Sequence, residues 1–162
     1  MTTPTQWTPP EVDGPAPGVA FGSPGARLIA YVVDIIIQFG VSTIIFVASV
    51  ILGAIFLPIG LIAGLAGFLF LLLYFPYYWQ KSGQTPGMKM LSIKVVRDRD
   101  GGPVSWGQAI LRVFGYWISG LVFYLGYIWI FIDKRKRGWH DLIAGTVVVE
   151  AARSANRAID PA

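Results

Sequence analysis

The chain has 162 residues, of which 54% are hydrophobic and only 14% charged, with a net charge of +4 and a mean hydropathy of +0.59. A soluble domain carries about 25% charged residues, so this chain has too little polar surface to cover a globule in water. It contains no cysteine, which excludes disulfides, thiolate metal sites and iron–sulfur clusters.

Residues 1–24 are rich in Pro, Gly and Thr and hold two acids, Glu11 and Asp13. Such a segment buries too little apolar surface to order itself and is expected to be a disordered tail. It lacks a basic stretch followed by an apolar core, so it does not read as a signal peptide. Residues 25–150 read as one membrane domain and 151–162 as a C-terminal tail.

From Leu28 to Trp79 the chain is apolar with a single charge, Asp34. Roughly 20 apolar residues span a hydrocarbon core as a helix, and this run holds two such lengths. Leu57-Pro58-Ile59-Gly60 divides them as a tight turn, which predicts helices over about 27–56 and 61–79. Gly60, Gly64 and Gly67 share one face of the second helix. Their spacing permits close helix approach, within the monomer in preference to a dimer. Tyr74, Phe75, Pro76, Tyr77, Tyr78 and Trp79 then read as an aromatic belt at the interface.

Residues 80–104 are polar and basic. Leu91–Arg97 has the β-branched, partly alternating pattern of a short strand, and Asp100-Gly101-Gly102 supplies a turn. Gly145–Glu150 reads as a second strand. Two short strands are each unstable alone, so they are expected to pair on the same side of the membrane. Between them, Trp106, Ile110, Val113, Phe114 and Trp117 recur at helical spacing, with Gln108 and Arg112 elsewhere on the turn. Val113–Ile132 is long enough for one span. A single span would separate Lys81–Arg112 from the C-terminal basic residues Lys134–Arg137, Arg153 and Arg157. The positive-inside rule and strand pairing both want these groups on one side. A re-entrant or bent hairpin near Ser119-Gly120 satisfies both and is preferred to the single span. The fold class is therefore all-α and integral to the membrane: two transmembrane helices, a third hydrophobic segment, and a small cytoplasmic two-stranded β element.

Asp34 is the residue that most needs explaining, because a charge in the membrane interior costs a few kcal/mol or more. Arg27, Asp34, Gln38, Ser42 and Ser49 fall within an arc of about 80° on one helix face, a polar stripe running inward. One reading makes Asp34, Gln38 and Ser42 an ion- or proton-binding path. The other is structural: Asp34 pairs with Arg27 or Arg112, and the serines ease packing. Arg27 either clamps Asp34, binds a lipid phosphate, or anchors the helix by snorkelling. Lys134, Arg135, Lys136 and Arg137 suit anionic lipid headgroups, at about 1 kcal/mol each. Nucleic acid is not an expected partner, since no stacking surface accompanies them. His140 is the only histidine, so no metal site is expected. It reads as a hydrogen-bonding residue, or as a pH-responsive group beside Asp141. No nucleophile–base constellation and no phosphate loop is present, so neither an enzyme nor a cofactor is expected.

Four motifs in order resemble the RDD family over about residues 20–150. Arg27-Leu28-Ile29-Ala30-Tyr31-Val32-Val33-Asp34 looks like its opening motif. Gly83-Gln84-Thr85-Pro86-Gly87-Met88-Lys89 is similar to its G-x-T-x-G-K segment, with Met88 interposed. Val104-Ser105-Trp106 to Leu111-Arg112 matches the stretch before its third hydrophobic segment. Gly138-Trp139-His140-Asp141 through Val149 resembles its closing L-H-D-x-x-A-G-T-x-V-V block, with Trp139 for leucine. The resemblance implies that Arg27, Asp34 and Asp141 are the three residues that name the family, with Arg112 and His140 in support. It implies three predicted membrane segments and suspected transport, some members resembling cation/proton antiporters. The expected function is a multi-pass protein of the plasma (inner) membrane, with its N-terminus and main loop cytoplasmic. It would be of transport type, exchanging monovalent cations or protons at Asp34, with Arg27 tuning that carboxylate. The His140-Asp141 turn would hold the cytoplasmic end closed, and a homo-oligomer would complete the path. The alternative is a non-transporting scaffold or accessory subunit.

Overall fold

The computed structural model describes residues 19–123 and 125–151. Most of the two predicted tails, including Arg153 and Arg157, lies outside them. Two long helices dominate, α1 (Pro24–Ile55) and α2 (Leu57–Ser82), both long and apolar enough to cross a membrane. Phe56 alone joins them. The predicted Leu57–Gly60 turn is instead the first turn of α2. Pro58 fits there because the first helical N–H groups have no intrahelical partner to lose. Gly60 serves the crossing rather than a turn: a Cβ on it would lie 2.3 Å from Gly53 Cα. A Cβ on Gly67 would meet Ile45 Cγ2 at 2.8 Å, so these glycines are used within the chain, as expected. Ser49 Oγ donates to Gly60 O (2.8 Å) and Gln38 Nε2 to Leu71 O (3.1 Å), adding polar links between the helices.

Apart from Gly60 and Gly67, the buried residues of the hairpin lie at its open end. In α1 the buried residues are Arg27, Ala30 and Asp34, one face of the first turns, and none of its most apolar window is covered. That end meets a small head. The head contains α3 (Pro86–Met90), β1 (Ile93–Arg97), α4 (Trp106–Leu121), α5 (Leu125–Ile128), a 3-10 turn at Trp129–Phe131, α6 (Trp139–Ala144) and β2 (Thr146–Glu150). The strands pair antiparallel with Val95 opposite Val148 and Ile93 opposite Glu150, as the two isolated strands required. The segment before α1 adds to the other edge of β2: Gly22 N donates to Val148 O (2.9 Å) and Glu150 N to Ala20 O (3.0 Å). Val95, Val148, Trp79, Met88, Val104 and Ala109 form the main core beneath the sheet.

Two expectations change. Tyr74 and Trp79 are buried in the head rather than lying in an aromatic belt, because Asp34 and Arg112 lie against them. In α4 the large apolar side chains Trp106, Ile110, Phe114, Trp117 and Leu121 are exposed, while Ala109, Arg112, Gly115 and Ser119 are buried. This is the reverse of a water-soluble amphipathic helix. It suits a helix whose outer surface meets hydrocarbon and whose inner surface meets other backbone. Ser105 caps α4 with Gln108 in a capping box. The axes of α4 and the following short helical stretch differ by 112°.

Substituting Gly60→Ala should lower resistance to unfolding by SDS by about 1–3 kcal/mol, because backbone would have to move. Gly40→Ala, with nothing within 4 Å of the added atom, should be neutral or mildly stabilising.

Candidate functional site: two buried carboxylates beside an aromatic cavity

Asp34 and Asp141 are 1% and 0% exposed, and they are held in opposite ways. Asp141 sits in the first turn of α6, where its Oδ2 accepts from Gly138 N (3.1 Å) and caps the helix. The same oxygen takes Arg27 Nη1 at 2.8 Å, and Oδ1 takes Arg112 Nη1. Arg27 is saturated further by Gly22 O (3.2 Å from Nε) and Val148 O (3.3 Å from Nη2). Arg112 Nη1 also reaches Thr146 Oγ1 (2.7 Å), and the guanidinium lies 4.8 Å over the Trp79 ring. One carboxylate thus joins α1, α4 and α6, and the arginines carry the link on to β2. Burial by itself would raise the Asp141 pKa, but Arg112, His140, Arg27 and the Gly138 N–H outweigh it. The carboxyl is held well below the usual range.

His140 stacks on Tyr116, ring centroids 4.0 Å apart, with Nε2 3.5 Å from Asp141 Oδ2. Gly115 permits this approach, since a Cβ there would lie 2.4 Å from His140 Cα. Burial pushes the imidazole down to about 3; Asp141 pulls it up, while Arg112 and Arg27 push it further down. His140 is therefore a neutral packing residue of the cluster.

Among the described residues no arginine pairs with Asp34. The expected pairing with Arg27 or Arg112 does not form, because both guanidiniums are engaged by Asp141. Its Oδ1 accepts from Tyr74 Oη (3.0 Å) and Gly87 N (2.9 Å), and its Oδ2 from Thr85 Oγ1. Thr85 is also the N-cap of α3, accepting from Met88 N at 3.2 Å. Gly87 must be glycine, because a Cβ would come within 2.2 Å of Ala30 O. Thr85-Pro86-Gly87 carried a signal that would have identified this element: a capping Thr followed by Pro at the first helical position. Tyr74 and Tyr116 carried no comparable signal. Of the remaining stripe, Gln38 is tied to α2, and Ser42 Oγ is buried without a partner among the described residues.

Beside Asp34 and the two arginines that bind Asp141 lies a cavity of about 530 Å³, lined by Tyr31, Phe75, Trp79, Tyr116 and Tyr127 with Arg27, Arg112, His140 and Asp34. The basic run lies apart from it. Arg135 and Arg137 pair with Asp98 (2.9 Å each), and Arg137 also pairs with Asp133 (3.0 Å). Lys134 stays exposed.

Asp141→Asn leaves two buried guanidiniums without a counter-charge and should cost about 3–5 kcal/mol, read as lost accumulation and early SDS unfolding. The low His140 pKa makes a second expectation. Between its ordinary 6.5 and about 3 the unfolded chain binds a proton that the folded one refuses, so stability falls as pH drops. From pH 7 to 5 the loss should be roughly 2 kcal/mol, with Asp141 still ionised, and His140→Phe should flatten it.

The chain matches the model of the RDD family over residues 21–145. It is 48% identical over 65 residues to the uncharacterized protein YxaI of Bacillus subtilis (strain 168), which covers 40% of this chain and 42% of that protein. No solved structure matches. The family match takes in both carboxylates, both arginines and the Thr85–Gly87 cap, so the chain belongs to the RDD family.

Proposed function

We propose that the protein is of transport type and that Asp34 exchanges a monovalent cation against a proton. One observation carries this reading. Asp34 is a buried carboxylate in a membrane helix whose hydrogen-bond partners among the described residues are all neutral, whereas Asp141 is clamped by two guanidiniums. A buried charge without a counter-charge is costly, and a bound proton or cation removes that cost. Its partners suit such an exchange. The hydroxyls of Tyr74 and Thr85 donate to the carboxylate, and each can instead turn a lone pair toward a cation. The expected role of Arg27 in tuning Asp34 directly is dropped, because Arg27 is bonded to Asp141.

The same reading has residues 105–132 fold back instead of crossing. The 112° bend supports this, as do Tyr127 Oη donating to Tyr116 O (2.9 Å) and Gly126 packed on Ser119. It puts the head, with the N-terminus, in the cytoplasm and the hairpin in the plasma (inner) membrane. There Lys134 and Lys136 face anionic lipid, and neighbouring protomers complete the path.

The second reading, a non-transporting scaffold, has its own support: the bonds to Asp34 tie α1 to both α2 and α3. Reconstituted in proteoliposomes, the wild type should exchange Na⁺, K⁺ or Li⁺ for protons. Asp34→Asn should insert and fold yet lose that flux. Wild-type protein inert to all three ions would sink the transport reading. Loss of folding in Asp34→Asn, together with that inertness, would favour the scaffold.

A further inference from the structure

Three residues that line the aromatic cavity carry polar atoms that the fold leaves unused. Trp79 Nε1, Arg112 Nε and His140 Nδ1 are all buried, and none has a hydrogen-bond partner among the described residues. The first two are N–H groups that can only donate, and their residues are 1% and 0% exposed. Buried polar atoms without partners are rare in native proteins, and a bound group is one of the accepted explanations. The two donors are neighbours, since the Arg112 guanidinium lies over the Trp79 ring. Both call for an acceptor, and the Arg112 donor belongs to a cation, which suits an oxyanion, although the four buried charges, Arg27 and Arg112 against Asp141 and Asp34, balance. Asp34 lines the same cavity, but its oxygens accept from Tyr74, Thr85 and Gly87. The open side of the cavity is apolar: Leu28, Ile128 and Phe131 line it and are 63%, 50% and 76% exposed. A volume of about 530 Å³ is within the range of small-molecule sites.

An anionic acceptor that enters past exposed hydrocarbon side chains is best supplied by a molecule carrying its own hydrocarbon. We propose that this cavity binds the phosphodiester of a membrane phospholipid, with Trp79 Nε1–H and Arg112 Nε–H donating to its oxygens and the acyl chains leaving past Leu28 and Phe131. The site is separate from the basic run at Lys134–Arg137, and it does not depend on ion exchange at Asp34.

The test is native mass spectrometry of the full chain in mild detergent, titrated with phosphatidylglycerol and, in a parallel arm, with inorganic phosphate. The wild type should retain one phosphatidylglycerol per chain. Trp79→Phe keeps a ring under Arg112 and removes one donor, so it should bind about tenfold more weakly, the equivalent of one charge-assisted hydrogen bond. Leu28→Glu, at an exposed position on the open side, should weaken binding comparably through repulsion, and it serves if Trp79→Phe does not fold. Wild-type retention by Leu28→Glu and by folded Trp79→Phe would overturn the proposal. So would inorganic phosphate binding as tightly as the lipid with the same dependence on Trp79, since the site would then belong to a soluble anion.

Discussion

The fold turns on Asp141. Its carboxylate receives Arg27 from the start of the membrane hairpin and Arg112 from α4, and it caps its own short helix through Gly138. Three ionised groups buried together are expensive, and such clusters persist only when nearly every donor is used. Here Arg27 meets that condition with all three of its nitrogens. The two-stranded sheet, too small to stand alone, is secured because both arginines also bond to β2 residues. Asp34 makes the matching joint on the other side, fixing α3 and α2 to α1. The two carboxylates thus hold the hairpin to the head, one by ion pairs and one by neutral donors.

Apolar surface is distributed to match. Along α1 beyond Asp34 nearly every large side chain faces outward, and α4 turns Trp106, Phe114 and Trp117 out and Arg112 and Tyr116 in. In water this arrangement would be unstable. Against hydrocarbon it leaves small residues to pack helix on helix: Gly53 on Gly60, and Gly115 on His140.

The two apolar helices, the strand pair and the need of Asp34 for partners were legible because each rests on local pattern: run length, β-branching, and a lone carboxylate among apolar residues. Pairings were not. The partners of Asp34 are neutral and lie 40, 51 and 53 residues away, so charge matching pointed to Arg27 and Arg112 instead. Those arginines found Asp141, which sequence position gave no reason to place beside Arg27. The interface-belt expectation for Tyr74 and Trp79 failed for the same reason: aromatic residues near the end of a span suit both a headgroup layer and a protein core, and only the tertiary partner decides. Pro58 and Gly60 were misassigned because a break signal and a first-turn signal use the same residues.

The joint between Arg27 and Asp141 links residues 114 apart in the chain. At synthesis rates of about 5–20 residues per second, roughly 6–23 s separate the emergence of the two. For that interval Arg27 is without the carboxylate that it meets in the finished fold. Thr85 and Gly87 follow Asp34 sooner, so the carboxylate on α1 is capped well before the arginine is. In chain order the residues of the neutral joint are therefore all present before those of the ionic one. A chain stopped short of Gly138 would carry the hairpin, the α3 cap, β1 and the segment at Phe21, but not β2, the strand that pairs with both β1 and that segment. Completion of the last strand is what makes the head a single unit.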